Sequence, residues 1–403
     1  MPEDLLTKDS NLYKKISNSI SFTRIMTMFW IVSVNYFQII FGNFYSQGYQ
    51  YAVEKSKNFV EIINSSQFID KIFLPFFYSG WSGVVIFVMI SGFSLWFSIL
   101  ISKKFKIGEY VQGRFTGIYL PYFVAIVITV IVNYLFIKIL PQPFDISVLL
   151  LGASRFVPAA NAYNGPFWFI TLILLCYLFF PIIPIIYNKF HLKGILFLTI
   201  ISSGPLFYLW DIFHTTTAKG VTTPIPSSLY PLFPFWAFLC IGVLLCHLIL
   251  KFTRMNFKKI NQRYIKLLLP WFFIIVGIVL LFKILYLDPS LNPEIPWQIS
   301  PWFASMAGIL VFFSAGYLLP IKFYNILRWL SRGTFSVFLY HYLLHPFLSP
   351  YIRPDILTHH ISIAIFLMYL IMLIGFSVFQ SVIDKTVVKF IKSLYEKDYE
   401  ITI

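Results

Sequence analysis

The stretch SGWSGVVIFVMISGFSLWFSILIS fills residues 79–102 without a charged side chain, and Lys103, Lys104 and Lys106 follow it directly. A helix needs roughly 20 apolar residues to cross a hydrocarbon core about 30 Å thick. A run of this length ending in a lysine cluster reads as a transmembrane helix whose C-terminal end lies on the cytoplasmic side.

The rest of the chain repeats that pattern. Hydrophobic residues make up 58% of 403 and charged residues 12%, about half the charged share of a soluble domain, which excludes a soluble globular protein. Spans are expected near 20–42, 79–102, 115–140, 166–187, 195–213, 231–250, 267–286, 300–320, 334–349 and 359–384. The expected fold is all-α: a polytopic bundle of about ten membrane helices. Its domain organisation is a tail at 1–19, one membrane domain at 20–384 and a second tail at 385–403.

Orientation follows from Lys and Arg. With the N-terminus inside, the segments 1–19, 103–114, 188–194, 251–266, 321–333 and 385–403 hold 22 of the 31 basic residues, and the opposite loops hold six. That asymmetry places both termini in the cytoplasm and the chain in the cell membrane as a multi-pass protein. The net charge of +15 is spread over these short clusters, so it describes topology and does not point to nucleic acid. Cys176, Cys240 and Cys246 all fall in apolar runs, where packing is expected and a disulfide framework is not. No cleavable signal peptide is expected, because residues 1–20 are polar and Ser21–Gly42 is too long for its apolar core. Two outer loops carry apolar features: Tyr51–Ile63 is amphipathic, and Ile146–Leu151 is read as packing on the bundle or re-entering it.

A few polar residues inside the spans stand out. Arg24 and Asn35 are eleven residues apart, which is about 16 Å of rise and three turns plus about 20°. They therefore share one helix face, Arg24 near the cytoplasmic boundary and Asn35 near the midplane. The ordinary reading is a snorkelling arginine and an interhelical asparagine; the functional one is that charge inside a membrane marks a site. Ser91-Gly92 permits close helix contact, and Arg114 before Phe115–Tyr122 can serve simply as a topology anchor. His341 and His345 share a face, but without an HExxH pattern or an acidic residue nearby no metal is expected, and one histidine for proton handling is the better reading.

Taken together these motifs resemble the acyltransferase-3 superfamily of integral membrane acyltransferases, over about residues 20–384. The resemblance rests on Arg24, on Phe87–Phe93 ending in Ser91-Gly92-Phe93, and on Arg114 running into Pro121-Tyr122. Trp168-Phe169 with Tyr177 and Pro181 continue it, and Thr334–His341 completes it. Three positions depart from the family pattern: Asn35 stands where the first span carries a histidine, Gly117 where a second arginine follows Arg114, and Phe338 where the late motif carries a tyrosine. The resemblance implies a membrane O-acyltransferase that moves an acyl group, here taken as acetyl, from cytoplasmic acyl-CoA to a cell-surface glycan or lipid-linked sugar. It implies Arg24 and Arg114 as the groups that hold the CoA phosphates, Asn35 and His341 as the catalytic positions, and Ser91, Trp168 and Tyr122 as cavity residues. The partners are then the lipid bilayer, acyl-CoA and the acceptor. The tail Lys385–Ile403 is too short for a fused hydrolase-like domain, so transfer is expected to finish in the membrane domain or on a separate partner.

Acyl transfer to a hydroxyl needs a base, and positive charge for the phosphates and the oxyanion. Asn35 cannot accept a proton near neutral pH. Three readings stand side by side: a natural non-catalytic relative, an engineered inactivating change, or another base such as His341. Natural divergence is the preferred of these, and the expectation is that transfer is slow or absent and that Asn35→His raises it; with His341 as the base instead, the parent is active and His341→Ala abolishes activity. The alternative function is a non-catalytic transporter or binding subunit for a surface polysaccharide or lipid-linked glycan. The topology is testable by itself: single cysteines placed in 251–266 are expected to react with an impermeant maleimide only in inside-out vesicles, and reaction in intact cells would reverse the assignment.

Overall fold

A computed structural model describes residues 10–41, 73, 76, 80–102, 105–138, 140–157, 163–218, 232–254, 262–286, 296–344 and 361–400. Helix accounts for 92% of these, and no strand occurs among them, so the fold is all-α. The amphipathic stretch Tyr51–Ile63, His345 and residues 255–261 of the basic segment lie outside the described residues.

The first helices are α1 (Asn11–Phe41), α2 (Trp81–Ser102) and α3 (Ile107–Arg114). A π turn, Phe115–Tyr119, joins α3 to α4 (Leu120–Val132), and a second, Asn133–Ile137, ends it. Next come α5 (Pro143–Leu150), α6 (Phe167–Phe179) and α7 (Ile182–Ala218). The order closes with α8 (Leu232–Arg254), α9 (Gln262–Tyr286), α10 (Pro296–Leu318), α11 (Tyr324–Tyr340) and α12 (Ile361–Glu400).

Helix α1 is the axis. From Thr27 to Val34 every side chain is buried, as happens when a helix is covered on all sides. It packs against α2, α10, α11 and α12. Tyr369 Oη of α12 donates to the Ile25 carbonyl at 2.6 Å, and Ser305 Oγ of α10 donates to the Ser82 carbonyl at 2.9 Å. Each bond satisfies a hydroxyl that lipid could not.

Helices α2 and α8 cross at their backbones. A Cβ on Gly92 would overlap the Leu239 carbonyl, and one on Gly242 would overlap the Met89 carbonyl. Small residues let membrane helices approach this closely, and the gain is van der Waals contact where no hydrophobic force acts between helices. All three cysteines are buried.

Other faces point outward. Leu178, Ile185, Leu268, Ile278 and Ile371 are exposed, an arrangement suited to lipid contact rather than water. Among the described residues, four helical segments are long and apolar enough to cross a membrane: Ser82–Ser102, Ile107–Phe136, Ile182–Ser203 and Ile363–Ile383. A fifth is counted if Phe303–Leu318 and Ile321–Leu344, bent by 103°, form one span. Phe167–Phe179, Phe235–Lys251 and Leu268–Leu281 are shorter apolar helices.

Two boundaries differ from the sequence expectation. The span expected at 166–187 stops at Phe179, and α7 begins at Ile182, because Pro181 supplies no amide proton. The loop expected at 188–194 takes the form of a kink at His191, with φ 52° and ψ −145°, which divides α7 into two helices. Helix α11 starts at Tyr324 rather than 334. Its basic residues mimic a loop, yet Leu327, Ser331, Thr334 and Phe338 form one buried stripe, while Arg328 and Arg332 occupy the exposed side. The run Ile146–Leu151 resolves as α5 packed on α4, with Val148 and Leu149 buried.

The α2–α8 crossing yields a stability test. Gly92→Ala is expected to destabilise by at least about 1–3 kcal/mol through overpacking. Gly375→Ala, where the added carbon would meet nothing within 4 Å, is expected to be neutral or to stabilise by up to about 1 kcal/mol. Thermal unfolding in detergent compares the two; equal Tm values would remove the close crossing from the account.

Candidate functional site

Arg24 leaves α1 one turn after Ser21, and its Nη2 donates to Ser94 Oγ of α2 at 3.1 Å. Ser94 Oγ in turn donates to the Ile90 carbonyl at 2.6 Å, and Ser91 Oγ to the Phe87 carbonyl at 2.8 Å. These local bonds hold both serine side chains against the α2 backbone, so Ser94 presents a lone pair to the arginine. Arg114 arrives from the other side, at the end of α3. Its guanidinium carbon lies 5.8 Å from the Tyr110 ring and 5.4 Å from the Tyr177 ring, and Tyr110 Oη donates to the Tyr177 carbonyl at 2.7 Å. The buried Nε of Arg114 has no hydrogen-bond partner.

Both arginines line a cavity of about 250 Å³, together with Ser91, Gly117, Arg332 and Gln380. Gly117 sits in the π turn between α3 and α4. Such turns widen a helix and often accompany function; this one falls just before Pro121, which cannot continue the regular bonding pattern. Arg332 comes from α11, and Gln380 from α12, where Gln380 Oε1 accepts from Ser336 Oγ at 2.6 Å. Among the described residues no Asp or Glu lines the cavity, so the charge these residues bring to it is positive.

A second polar centre lies further along α1. The Asn35 amide nitrogen is 3.1 Å from the Ile31 carbonyl and 2.8 Å from His341 Nε2. His341 Nδ1 lies 3.0 Å from the Val337 carbonyl and 2.9 Å from that of Phe338. Carbonyls only accept, so Nδ1 carries the proton and the Asn35 nitrogen, not its oxygen, faces Ile31. Nε2 is then the acceptor, and the imidazole is neutral with its lone pair turned to Asn35. His341 is 1% exposed while Asn35 is half-buried, so the pair is approached from the asparagine side.

The two centres share a pair of helices. Ser331 Oγ donates to Ser21 Oγ at 3.4 Å near the arginines, and Asn35 meets His341 at the other end. Numbers rise together on both helices, so α1 and α11 run parallel. About 16 Å of helix rise separates Arg24 from Asn35.

Of the residues singled out from the sequence, Arg24, Arg114 and Ser91 meet at the cavity, and Asn35 and His341 meet each other. Tyr122 and Trp168 lie apart from both. Tyr122 is fully buried, donates to the Leu149 carbonyl at 2.8 Å and packs edge-on against Phe167, fixing α4 to α5 and α6. Trp168 carries the Arg155 guanidinium 5.5 Å above its ring. That loop is further tied down by Tyr163 Oη donating to Asp145 Oδ2 at 3.0 Å and by Asn164 Nδ2 donating to the Leu339 carbonyl at 3.0 Å. Desolvation first, and then the bond to Asp145, raise the Tyr163 phenol above its ordinary value. Arg332 and Gln380 went unmarked in the sequence: Arg332 was counted among topology anchors, although it adjoins the Thr334–His341 motif, and Gln380 is a lone amide in an apolar span.

The family model for the acyltransferase domain of the acyltransferase-3 type matches residues 17–382. The chain belongs to the acyltransferase-3 family. Neither the curated proteins nor the solved structures give a match. This acyltransferase-3 member is a membrane acyltransferase, and the matched region holds the arginine cavity and the Asn35–His341 pair alike. Among its described residues no group of three or more His, Cys, Asp or Glu is placed to hold a metal ion.

The protonation assignment can be read directly. In ¹⁵N-histidine-labelled protein, the difference spectrum between the parent and His341→Gln is expected to show a neutral Nδ1–H imidazole at pH 7. A spectrum of the Nε2–H form would overturn the assignment.

Proposed function

We propose that this membrane acyltransferase takes its acyl group from cytoplasmic acyl-CoA, acetyl-CoA in the simplest case, and delivers it to a hydroxyl of a cell-surface glycan or lipid-linked sugar. The reading includes ten spans with both termini in the cytoplasm, which sets the arginine cavity at the cytoplasmic end of α1. The observation that carries it is the cavity itself, where Arg24 and Arg114 meet with no carboxylate among the described lining residues. Guanidinium groups bind phosphate through paired, charge-assisted hydrogen bonds, and CoA offers phosphates at one end and a thioester at the other. An extended pantetheine arm leading from the cavity toward Asn35 would carry the thioester to the second centre.

The Asn35–His341 contact favours His341 as the base. Its Nε2 lies 2.8 Å from the amide that occupies the family's histidine position, with the proton already parked on Nδ1. In the reaction the acceptor hydroxyl displaces the Asn35 amide and gives its proton to Nε2. Its oxygen attacks the thioester carbon, the C–S bond breaks, and the CoA thiolate takes the proton back from the imidazolium. Asn35 orients the incoming hydroxyl and the ring. A second reading, a non-catalytic subunit that binds or moves a glycan, draws on the same contact, because Asn35 ties up the one lone pair available there.

Inside-out membrane vesicles carrying the chain supply native acceptors, and release of the CoA thiol from acetyl-CoA gives the rate. His341→Ala is expected to lower it by about 10²–10⁴, and Asn35→His to change it less than tenfold. A rate that survives His341→Ala, or a rise of 10² or more in Asn35→His, would move the base away from His341. CoA binding without thiol release in any variant would favour the second reading. Binding separates the donor site from the chemistry: by calorimetry, Arg114→Ala is expected to weaken CoA more than Gln112→Ala, and equal affinities would count against phosphates at Arg114.

A further inference from the structure

Three guanidinium groups reach the cavity from three different helices: Arg24 from α1, Arg114 from α3 and Arg332 from α11. They are graded in depth. Arg24 and Arg114 are partly buried, whereas Arg332 is exposed at the rim. None of the three forms an ion pair among the described residues, where the salt bridge present is Lys106–Glu109 on the exposed start of α3. Like charges gathered in a cavity repel, and burial strengthens the repulsion. Arg114 is further short of a partner at its buried Nε. Such an arrangement persists when a ligand of opposite sign, with more than one charge, completes it.

The π turn leaves a gap in this ring. Gly117 lines the cavity, and a carbon added to it would meet nothing within 4 Å. The side that Gly117 leaves without a side chain is open, and Arg332 lines the same cavity from α11, flanked there by Ser331 and Thr334.

We propose that Arg332 is a third phosphate-binding residue of the cavity, supplying from α11 the positive charge that Gly117 does not, so that the site takes a diphosphate rather than a single phosphate. The assignment rests on the donor reading above for the identity of that ligand as acyl-CoA, but its chemistry is that of any diphosphate group. Arg24 takes the deepest oxygens, Arg114 the middle, and Arg332 closes over the outer phosphate. Ser331 Oγ and Thr334 Oγ1 donate to neighbours on α1 and α11, which keeps the backbone beneath Arg332 fixed.

The test uses the full chain in nanodiscs of purely zwitterionic lipid, titrated with CoA and separately with inorganic diphosphate. Arg332→Ala is expected to weaken both ligands by about tenfold or more, with a shallower salt dependence, while Arg328→Ala, one turn away and bonded to Tyr324, leaves both unchanged. Adding Gly117→Arg to Arg332→Ala is expected to restore most of the lost affinity, since the site has room for the side chain. Equal effects of Arg332→Ala and Arg328→Ala would overturn the proposal. So would a double variant that keeps the parent's Tm and regains nothing. Binding of diphosphate but not CoA, still sensitive to Arg332, would uphold the arginine assignment and sink the acyl-CoA reading. If nanodiscs containing anionic lipid abolish diphosphate binding to the parent but not to Arg332→Ala, a lipid headgroup is the occupant, and Arg332 still binds phosphate. No binding of either ligand by the parent would end both.

Discussion

A guanidinium inside a bilayer cannot face lipid, and that requirement organises this bundle. Arg24 lies on the helix that four others enclose, with Ser94 as its hydrogen-bond partner and two more arginines sharing its cavity. Covering α1 on all sides needs helices that approach closely, which the paired glycines of α2 and α8 allow. It also needs α11 to lie alongside, and the sharp corner after α10 brings it there. Position, packing and polarity are thus three aspects of one constraint: the polar face of α1 must look into protein.

On the proposed reading, the two chemical tasks of acyl transfer divide along that face. Charge gathers near the start of α1, where anions would be held; a neutral imidazole sits further on, where a proton would be accepted. The division suits the physics of each. Strong phosphate contacts want several fixed cations, whereas a base needs a lone pair and few positive neighbours, since nearby cations make it a poorer proton acceptor. About 16 Å of helix lies between the two, so neither compromises the other.

Much of this was legible in the sequence because membranes make polarity informative. An apolar run such as 79–102 can only span, and Arg24 and Asn35 on one face can only look inward. The all-α class, the packing of Ile146–Leu151 and the inward placement of Arg24 and His341 follow from that economy, whereas Arg114 by itself reads as a topology anchor and is marked only by the family resemblance. What stayed hidden depends on tertiary geometry. Lys322, Arg328 and Arg332 look like a loop until the buried stripe of α11 shows which side each faces. Tyr122 and Trp168 are amphipathic aromatics whose partners, a carbonyl in α5 and the guanidinium of Arg155, lie in the adjoining segment 143–157, and helical spacing does not pair them. The contact between Asn35 and His341 joins residues 306 apart in the chain, and no local pattern announces it.

The π turn at Phe115–Tyr119 has a consequence for how the gene can change. Such a turn is an α-helix with one residue too many, so losing any one residue there would let the segment relax to regular geometry. The wide turn absorbs that extra residue within itself, so both flanking helices would keep their faces: Tyr122 would stay on Leu149 and Arg114 beside Tyr177. What would be lost is the widening at Gly117, where the segment lines the cavity. A three-nucleotide deletion here is therefore gentler on the bundle than the same deletion in a regular helix, and its cost falls on the opening alone.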